Sequence, residues 1–379
     1  MIRFVVILIV IAFPVDKIAI ASVVKGSAGN LIKARVVANF AEPWSMTFIS
    51  EHELLVTSKL GRLWKVSVEG TKKEVSGVPN VVAAGQGGLG DVVRHPNFTE
   101  NKFIYLSLIN ADQENSSLKG AVVVRAKFND SNFPYLTDKE LIWEQVPKMP
   151  GSGHYSHRMA FGPQGSKHEG KLFITSGDRQ FGIAAQDMDS SLGKLIRINN
   201  DGTYPPDNPF QTEGQLAKSF WTLGHRNALG LAFDSNGKLW SHEMGPKHGD
   251  ELNFIQVGKN YGWPVVSEGD HYDGREIPNH ESKPQFIPPV VAWVPTIAPS
   301  GLIFYSGEKF KSWEGNAFLG GLKSRALIRL EFSKGFVSEV ERFSWGRRVR
   351  EVELGPDGSI WVLEDPPLGR LIQFNPPEN

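Results

Sequence analysis

Apolar couplets recur along the chain, each followed by a turn-like stretch and then a short run of Leu, Phe, Ile, Trp or Val. Six such units are present. The couplets end at Phe48, Val93, Phe161, Phe233, Phe304 and Leu354, and the runs that follow open near Leu54, Phe103, Leu172, Leu239, Phe318 and Ile360. The clearest linkers are Asp234-Ser235-Asn236-Gly237-Lys238 and Gly355-Pro356-Asp357-Gly358. Asn-Gly and Asp-Gly supply the positive φ that tight turns between twisted strands need, so each unit reads as a hairpin with a half-buried face. Six sheet units in series predict an all-β chain folded as a six-bladed β-propeller rather than a sandwich. Strand-like spacing also covers Lys33 to Phe48, Ala121 to Phe128 and Ala326 to Phe332, while 39 Gly and 24 Pro break the chain too often for long helices. The last strand, Gly369 to Phe374, has no turn partner after it. It is expected to pair with the first blade's sheet, closing the ring and removing an exposed edge. A propeller gathers loops from every blade at one end of its channel, and chemistry is to be sought there.

Composition narrows the picture. No Pro/Ser/Gly-rich linker divides the 379 residues, so residues 22–379 read as one propeller domain behind a leader at 1–21. In that leader Arg3 precedes an apolar run from Phe4 to Phe13, and Ala19-Ile20-Ala21 offers the small residues a signal peptidase reads. The run is shorter than the roughly 20 residues that span a bilayer. A periplasmic or secreted protein is expected, not membrane-spanning once the leader is removed. Formal net charge is zero with 41 charges of each sign, which gives no global attraction to nucleic acid or an anionic membrane. The absence of cysteine excludes disulfides, thiolate catalysis and Cys-ligated metals.

Gly85, Gly87 and Gly90 have the spacing of a dinucleotide fingerprint. The context fails, because Val92 and Val93 continue as a strand where a helix should open onto the pyrophosphate. Polar residues at blade ends are more telling. His154-Tyr155-Ser156-His157-Arg158 precedes one couplet, and Gly177-Asp178-Arg179-Gln180 follows the strand paired with it. A His oriented by Asp through one ring nitrogen leaves the other free to take a proton. A His and an Asp that merely cap turns fit this spacing equally well. Gly224-His225-Arg226-Asn227 holds the corresponding place in the next blade; Lys323 follows the Phe318-Leu319 strand, and Arg348 and Arg350 flank Val349. Residues two apart face the same side of a strand, so these cations suit a polyanion of carboxylates or phosphates, against the alternative of scattered solvated charges. Gly245-Pro246, with Asp250-Glu251 after it, offers backbone carbonyls and carboxylates of the kind a hard cation such as calcium takes, against the alternative that paired acidic residues after a turn are simply solvated.

Taken together, Gly85-Gln86-Gly87-Gly88-Leu89, the His154 segment, Gly177-Asp178, Gly224-His225-Arg226-Asn227, Gly245-Pro246 with Asp250-Glu251-Leu252-Asn253, Asn260-Tyr261-Gly262-Trp263-Pro264, Ala298-Pro299-Ser300-Gly301 and Arg348-Val349-Arg350 resemble the soluble pyrroloquinoline quinone (PQQ)-dependent glucose and aldose sugar dehydrogenases. The resemblance runs in order over nearly the whole mature chain. It implies a six-bladed propeller that holds PQQ with calcium at the channel mouth, oxidises aldose sugars to lactones and passes electrons to a respiratory acceptor. It makes His154 the general base and Asp178 its orienting partner. Gln86, Arg226, Asn227, Lys323, Arg348 and Arg350 would hold the cofactor, the carbonyls of Gly245 and Pro246 the calcium, and Glu251 and Tyr261 part of a second calcium site. Four departures stand out: Leu229 where the family usually has Gln, Ser156-His157 in place of a small glycine-containing pair, Met244 at a commonly polar position, and Glu351 for Asp. Two other readings remain, a non-catalytic propeller binding module and a calcium-dependent lactonase with its metal deep in the channel.

Overall fold

The computed structural model describes residues 22–333 and 335–378. The expected signal segment lies outside the described residues. Six sheets are arranged as blades around one channel. Their innermost strands, for blades 1 to 6, are Pro43–Phe48, Leu89–Arg94, Ser156–Phe161, Ala228–Phe233, Pro299–Phe304 and Val349–Leu354. The second strands are Glu53–Ser58, Phe103–Ala111, Lys171–Ser176, Leu239–Glu243, Ala317–Gly321 and Ile360–Glu364. These are the hairpins read from the couplets, with ends within a residue of expectation. Each innermost strand packs on the next, and the sixth packs on the first.

The ring closes as expected, with one correction of partner. The final strand, Leu368–Asn375, pairs antiparallel with Leu31–Ala41, which is the outer strand of blade 6 rather than part of blade 1. The continuous strand pattern from Lys33 to Phe48 is cut at Glu42, whose φ of 51° turns the chain from one sheet into the next. A left-handed residue other than glycine leaves no mark in the hydrophobic pattern. A short strand, Ser22–Lys25, covers the free edge of Leu31–Ala41.

Because both faces of an inner blade strand meet neighbouring blades, strands such as Glu53–Ser58 are buried along almost their whole length. The apolar core is accordingly divided into wedges between blades. One wedge joins Tyr105, Val123 and Trp143 of blade 2 to Met159, Ile174 and Ile196 of blade 3; another joins Phe318 and Leu327 of blade 5 to Val349 and Val362 of blade 6. This frame fixes where each innermost strand begins. Its first residues open onto the mouth of the channel.

Candidate functional site

Every innermost strand carries a register shift against its second strand, and in every blade it falls at the mouth end: between Pro43 and Met46, Leu89 and Val92, Ser156 and Met159, Ala228 and Gly230, Ser300 and Leu302, and Val349 and Glu351. A β-bulge bends the strand and re-aims a side chain. Here the bulges turn Trp44, His157, Leu229 and Arg350 into one cavity of about 310 Å³. Lys59, Gln86, Asn227 and Arg348 also line it, so its wall combines an apolar floor with cations and amides.

His154 and Asp178 meet beside the cavity, neither among its lining residues but His154 next to the lining residue Tyr155: His154 Nδ1 lies 2.7 Å from Asp178 Oδ1. Asp178 Oδ1 also accepts from the Gln180 backbone N–H at 2.8 Å, and Oδ2 from the Trp263 indole N–H at 2.7 Å. Asp178 therefore receives the His154 Nδ1–H, and the Nε2 lone pair is left without a partner among the described residues. The His154 backbone is held as well, its N–H donating to Gln86 Oε1 at 2.8 Å and its φ at 47°. Ser156, His157, Arg179, Gln180 and Ala298 share this positive φ around the mouth, a concentration of backbone strain of the kind found at functional sites.

The expected cations divide into two sets. Arg348 and Arg350 do face one side: Arg348 Nε donates to Asp365 Oδ2 at 2.5 Å and Arg350 Nε to Asp365 Oδ1 at 2.7 Å. Two guanidiniums share one carboxylate, which leaves net positive charge at the cavity wall. Burial holds the Arg350 guanidinium below its usual pKa, against the pull of Asp365. Arg226 and Lys323 do not line the cavity. The Arg226 guanidinium donates to the Met244 carbonyl at 2.9 Å and lies 5.3 Å from the Trp263 ring, while Lys323 is exposed beside the lining residue Leu322. Asn227 is in the wall, with its Oδ1 accepting from the Ser156 hydroxyl at 3.2 Å. Asp365, Trp263 and Lys59 were not singled out by the sequence as site residues. Trp263 meets Asp178 from the next blade, and Asp365 meets Arg348 and Arg350 across the blade 6 hairpin, pairs that the local sequence pattern does not reveal.

Gly245 and Pro246 follow the lining residue Met244, and neither carbonyl accepts a hydrogen bond from the described residues. Asp250 fixes their place. Its Oδ1 accepts from the Gly245 N–H at 3.0 Å, and its Oδ2 from the N–H groups of Ile297 and Ala298 at 2.8 and 2.7 Å. Two free carbonyls on a pinned loop fit a hard cation. Glu251 is buried opposite Glu243, and burial together with that neighbour pushes its carboxyl well above the usual range. Two buried carboxyls side by side repel when both are ionised, and a cation would relieve that repulsion. Tyr261 offers only its carbonyl, which faces His280 Nε2 at 3.0 Å, because its hydroxyl already donates to the Phe254 carbonyl at 2.6 Å.

One layer down, Arg158 fills the channel. Its guanidinium pairs with Glu351 and with Asp91, its Nε donates to the Leu229 carbonyl at 3.0 Å, and it lies 4.1 Å from the Trp44 ring. Burial pushes the Glu351 carboxyl up to about 7 against the attraction of Arg158. Asp91 and Glu351 are thus held by a side-chain cation, while Glu353 beside them has no ion-pair partner among the described residues and is pushed well above the usual carboxyl range by burial and by Glu351.

Comparison with known proteins identifies the family and the fold. Residues 40–373 match the family described as Glucose / Sorbosone dehydrogenase. The aldose sugar dehydrogenase YliI of Escherichia coli K12 is 36% identical over 344 residues, covering 88% of this chain and 90% of that protein. A crystal structure of the soluble aldose sugar dehydrogenase of E. coli in the apo-form superposes with a TM-score of 0.85 at 34% identity, covering 91% of this chain and all of that one. The PQQ-bound aldose sugar dehydrogenase of Streptomyces coelicolor superposes with a TM-score of 0.74 at 26% identity over 93% of this chain and 98% of the other.

Proposed function

Because the chain belongs to the glucose/sorbosone dehydrogenase family, we propose that it oxidises the C1 hydroxyl of aldose sugars to lactones, using PQQ and calcium at the channel mouth. The observation that carries this reading is the His154–Asp178 pair beside a cavity walled by Arg348, Arg350 and Asn227. When bound, the quinone supplies the two-electron acceptor for the C1 hydride, and calcium the Lewis acid that polarises it.

The chain's own residues do the rest. His154 Nε2 takes the hydroxyl proton as the C1–H bond gives up its hydride and the carbonyl forms. Asp178, fixed by Trp263 and the Gln180 N–H, keeps the imidazole in the tautomer that can accept. Arg348 and Arg350 hold carboxylates, a task suited to the guanidinium fork, and Lys59, Gln86 and Asn227 line the same wall. The Gly245 and Pro246 carbonyls hold the calcium. A second calcium is assigned to Glu251 and the Tyr261 carbonyl, where it would displace the contact from His280. Arg226 acts by position rather than contact, since its backbone carbonyl accepts the Asp178 N–H at 2.9 Å. Export behind residues 1–21 and transfer of electrons to a respiratory acceptor complete the reading.

The test is titration of purified apo-chain with PQQ and calcium, followed by aldose oxidation with a dye acceptor. One quinone per chain and calcium-dependent turnover are expected. Failure to bind quinone in the presence of calcium would leave a binding module as the better description.

A further inference from the structure

Three residues beyond the base, His157 occupies the blade 3 bulge and is almost fully buried, yet lines the cavity. Its φ is 60°, a conformation glycine adopts far more readily than any residue with a side chain. Its imidazole also demands space from its neighbour: a Cβ on Gly90 would lie 1.9 Å from His157 Cε1. The fold thus accommodates this ring twice over, in its own backbone and in the residue opposite.

The ring's hydrogen bonds fix its chemistry. His157 Nδ1 lies 2.7 Å from Ser107 Oγ, and that oxygen already accepts the Asp91 N–H at 2.8 Å. Ser107 is buried, and no other acceptor for its O–H is present among the described residues. A buried hydroxyl left unpaired is costly. Ser107 therefore donates to Nδ1, and the proton of the neutral imidazole resides on Nε2. Burial and the nearby Arg158 and Arg179 guanidiniums hold the His157 pKa down to about 3, so the ring stays neutral through the working range. It stacks on Trp44 with centroids 4.9 Å apart and planes 11° from parallel, which holds the ring plane in place. Nε2 has no partner among the described residues.

Resting on the functional reading above, we propose that His157 is a specificity-determining donor: its Nε2–H bonds an oxygen of the planar acceptor held in the cavity. Position selects that occupant over the sugar, because His157 is among the residues lining the cavity and His154 is not. The sugar must reach His154 beside the cavity, whereas His157 lies in the wall beside Trp44 and Leu229. Leu229, in the same wall, presents only carbon, so His157 adds a donor where that residue offers none.

The experiment is fluorescence titration of the apo-chain with PQQ at saturating calcium, comparing parent, His157→Phe and His157→Gly. Phe retains an aromatic ring on Trp44 without the donor; Gly suits the backbone and serves if Phe does not fold. About 3- to 10-fold weaker binding is expected for each, the range of one net hydrogen bond. A long-range ¹H–¹⁵N spectrum of the apo-chain, with His157 assigned by its loss in the variant, should show the Nε2–H tautomer. Binding by His157→Phe as tight as the parent's, or an Nδ1–H tautomer, overturns the inference alone. A parent that does not bind quinone overturns the functional reading and this inference with it.

Discussion

The two layers of the channel are built from the same kinds of side chain and put them to opposite uses. In the lower layer Arg158 is consumed, paired with Glu351 and Asp91, bonded to the Leu229 carbonyl and packed on Trp44. At the mouth three groups are oriented at one end and open at the other, while Asp178 behind them is bonded through both oxygens. His154 is held through Nδ1 and free at Nε2; Arg348 is held through Nε while its side chain stays 46% exposed; Gly245 is pinned through its N–H with its carbonyl unclaimed. Full satisfaction suits a supporting group, and half satisfaction a group that meets a ligand. The bulge near the start of each innermost strand separates the two, because it turns one residue to the mouth and the next into the channel.

That contrast is broken most severely at the base. A positioned general base contributes about 10²- to 10⁴-fold, so His154→Ala should lower dye-linked turnover by that order while quinone still titrates the chain. Loss of binding in proportion to turnover would make His154 a structural residue like Arg158. In the lower layer the expected loss is of stability. Removing one partner of a buried pair costs about 3–5 kcal/mol because a charge is left uncompensated. Arg158→Met should therefore lower the urea midpoint strongly, with a much smaller fall in turnover per folded molecule than His154→Ala. An unchanged midpoint would mean that Glu351 and Asp91 find other partners.

Most of the frame was legible in the sequence, for a local reason. Asp234 to Lys238 and Gly355 to Gly358 are turns that announce themselves, and the alternating runs beside them need no distant partner to be read. The turn at Glu42 was not legible, because its left-handed backbone is imposed by the change of sheet. The site was legible in its anchors and illegible in its supports. His154 and Asp178 stand out by type and position, but Trp263 reaches Asp178 from another blade, and Asp365 becomes visible only when the bulge turns Arg350 toward it. Arg226 and Lys323 show the converse limit: sequence places a cation at the right end of a blade without telling which way it points.

Smaller changes sharpen the comparison. Trp263→Phe keeps the ring but removes one donor to Asp178, and a net hydrogen bond of about 0.5 to 1.5 kcal/mol predicts a 3- to 10-fold fall in turnover. Quinone affinity should be unaffected; an equal fall in both would place Trp263 in the cofactor wall instead. The smallest effect is expected at Leu229. Leu229→Gln adds a polar group to the apolar floor and should tighten quinone binding by no more than about tenfold. Weaker binding would identify Leu229 as an apolar wall that the bound acceptor requires.

The central claim is that a base with a free lone pair stands over a quinone site. The most direct measurement is a single turnover: quinone-loaded chain mixed with an aldose in the absence of any acceptor, followed by quinone absorbance, with C1-protiated and C1-deuterated sugar. The account predicts one first-order loss of the oxidised quinone, slowed by deuterium and far slower in His154→Ala. A quinone spectrum unmoved by sugar, or one that changes equally fast in the parent and in His154→Ala, would contradict it.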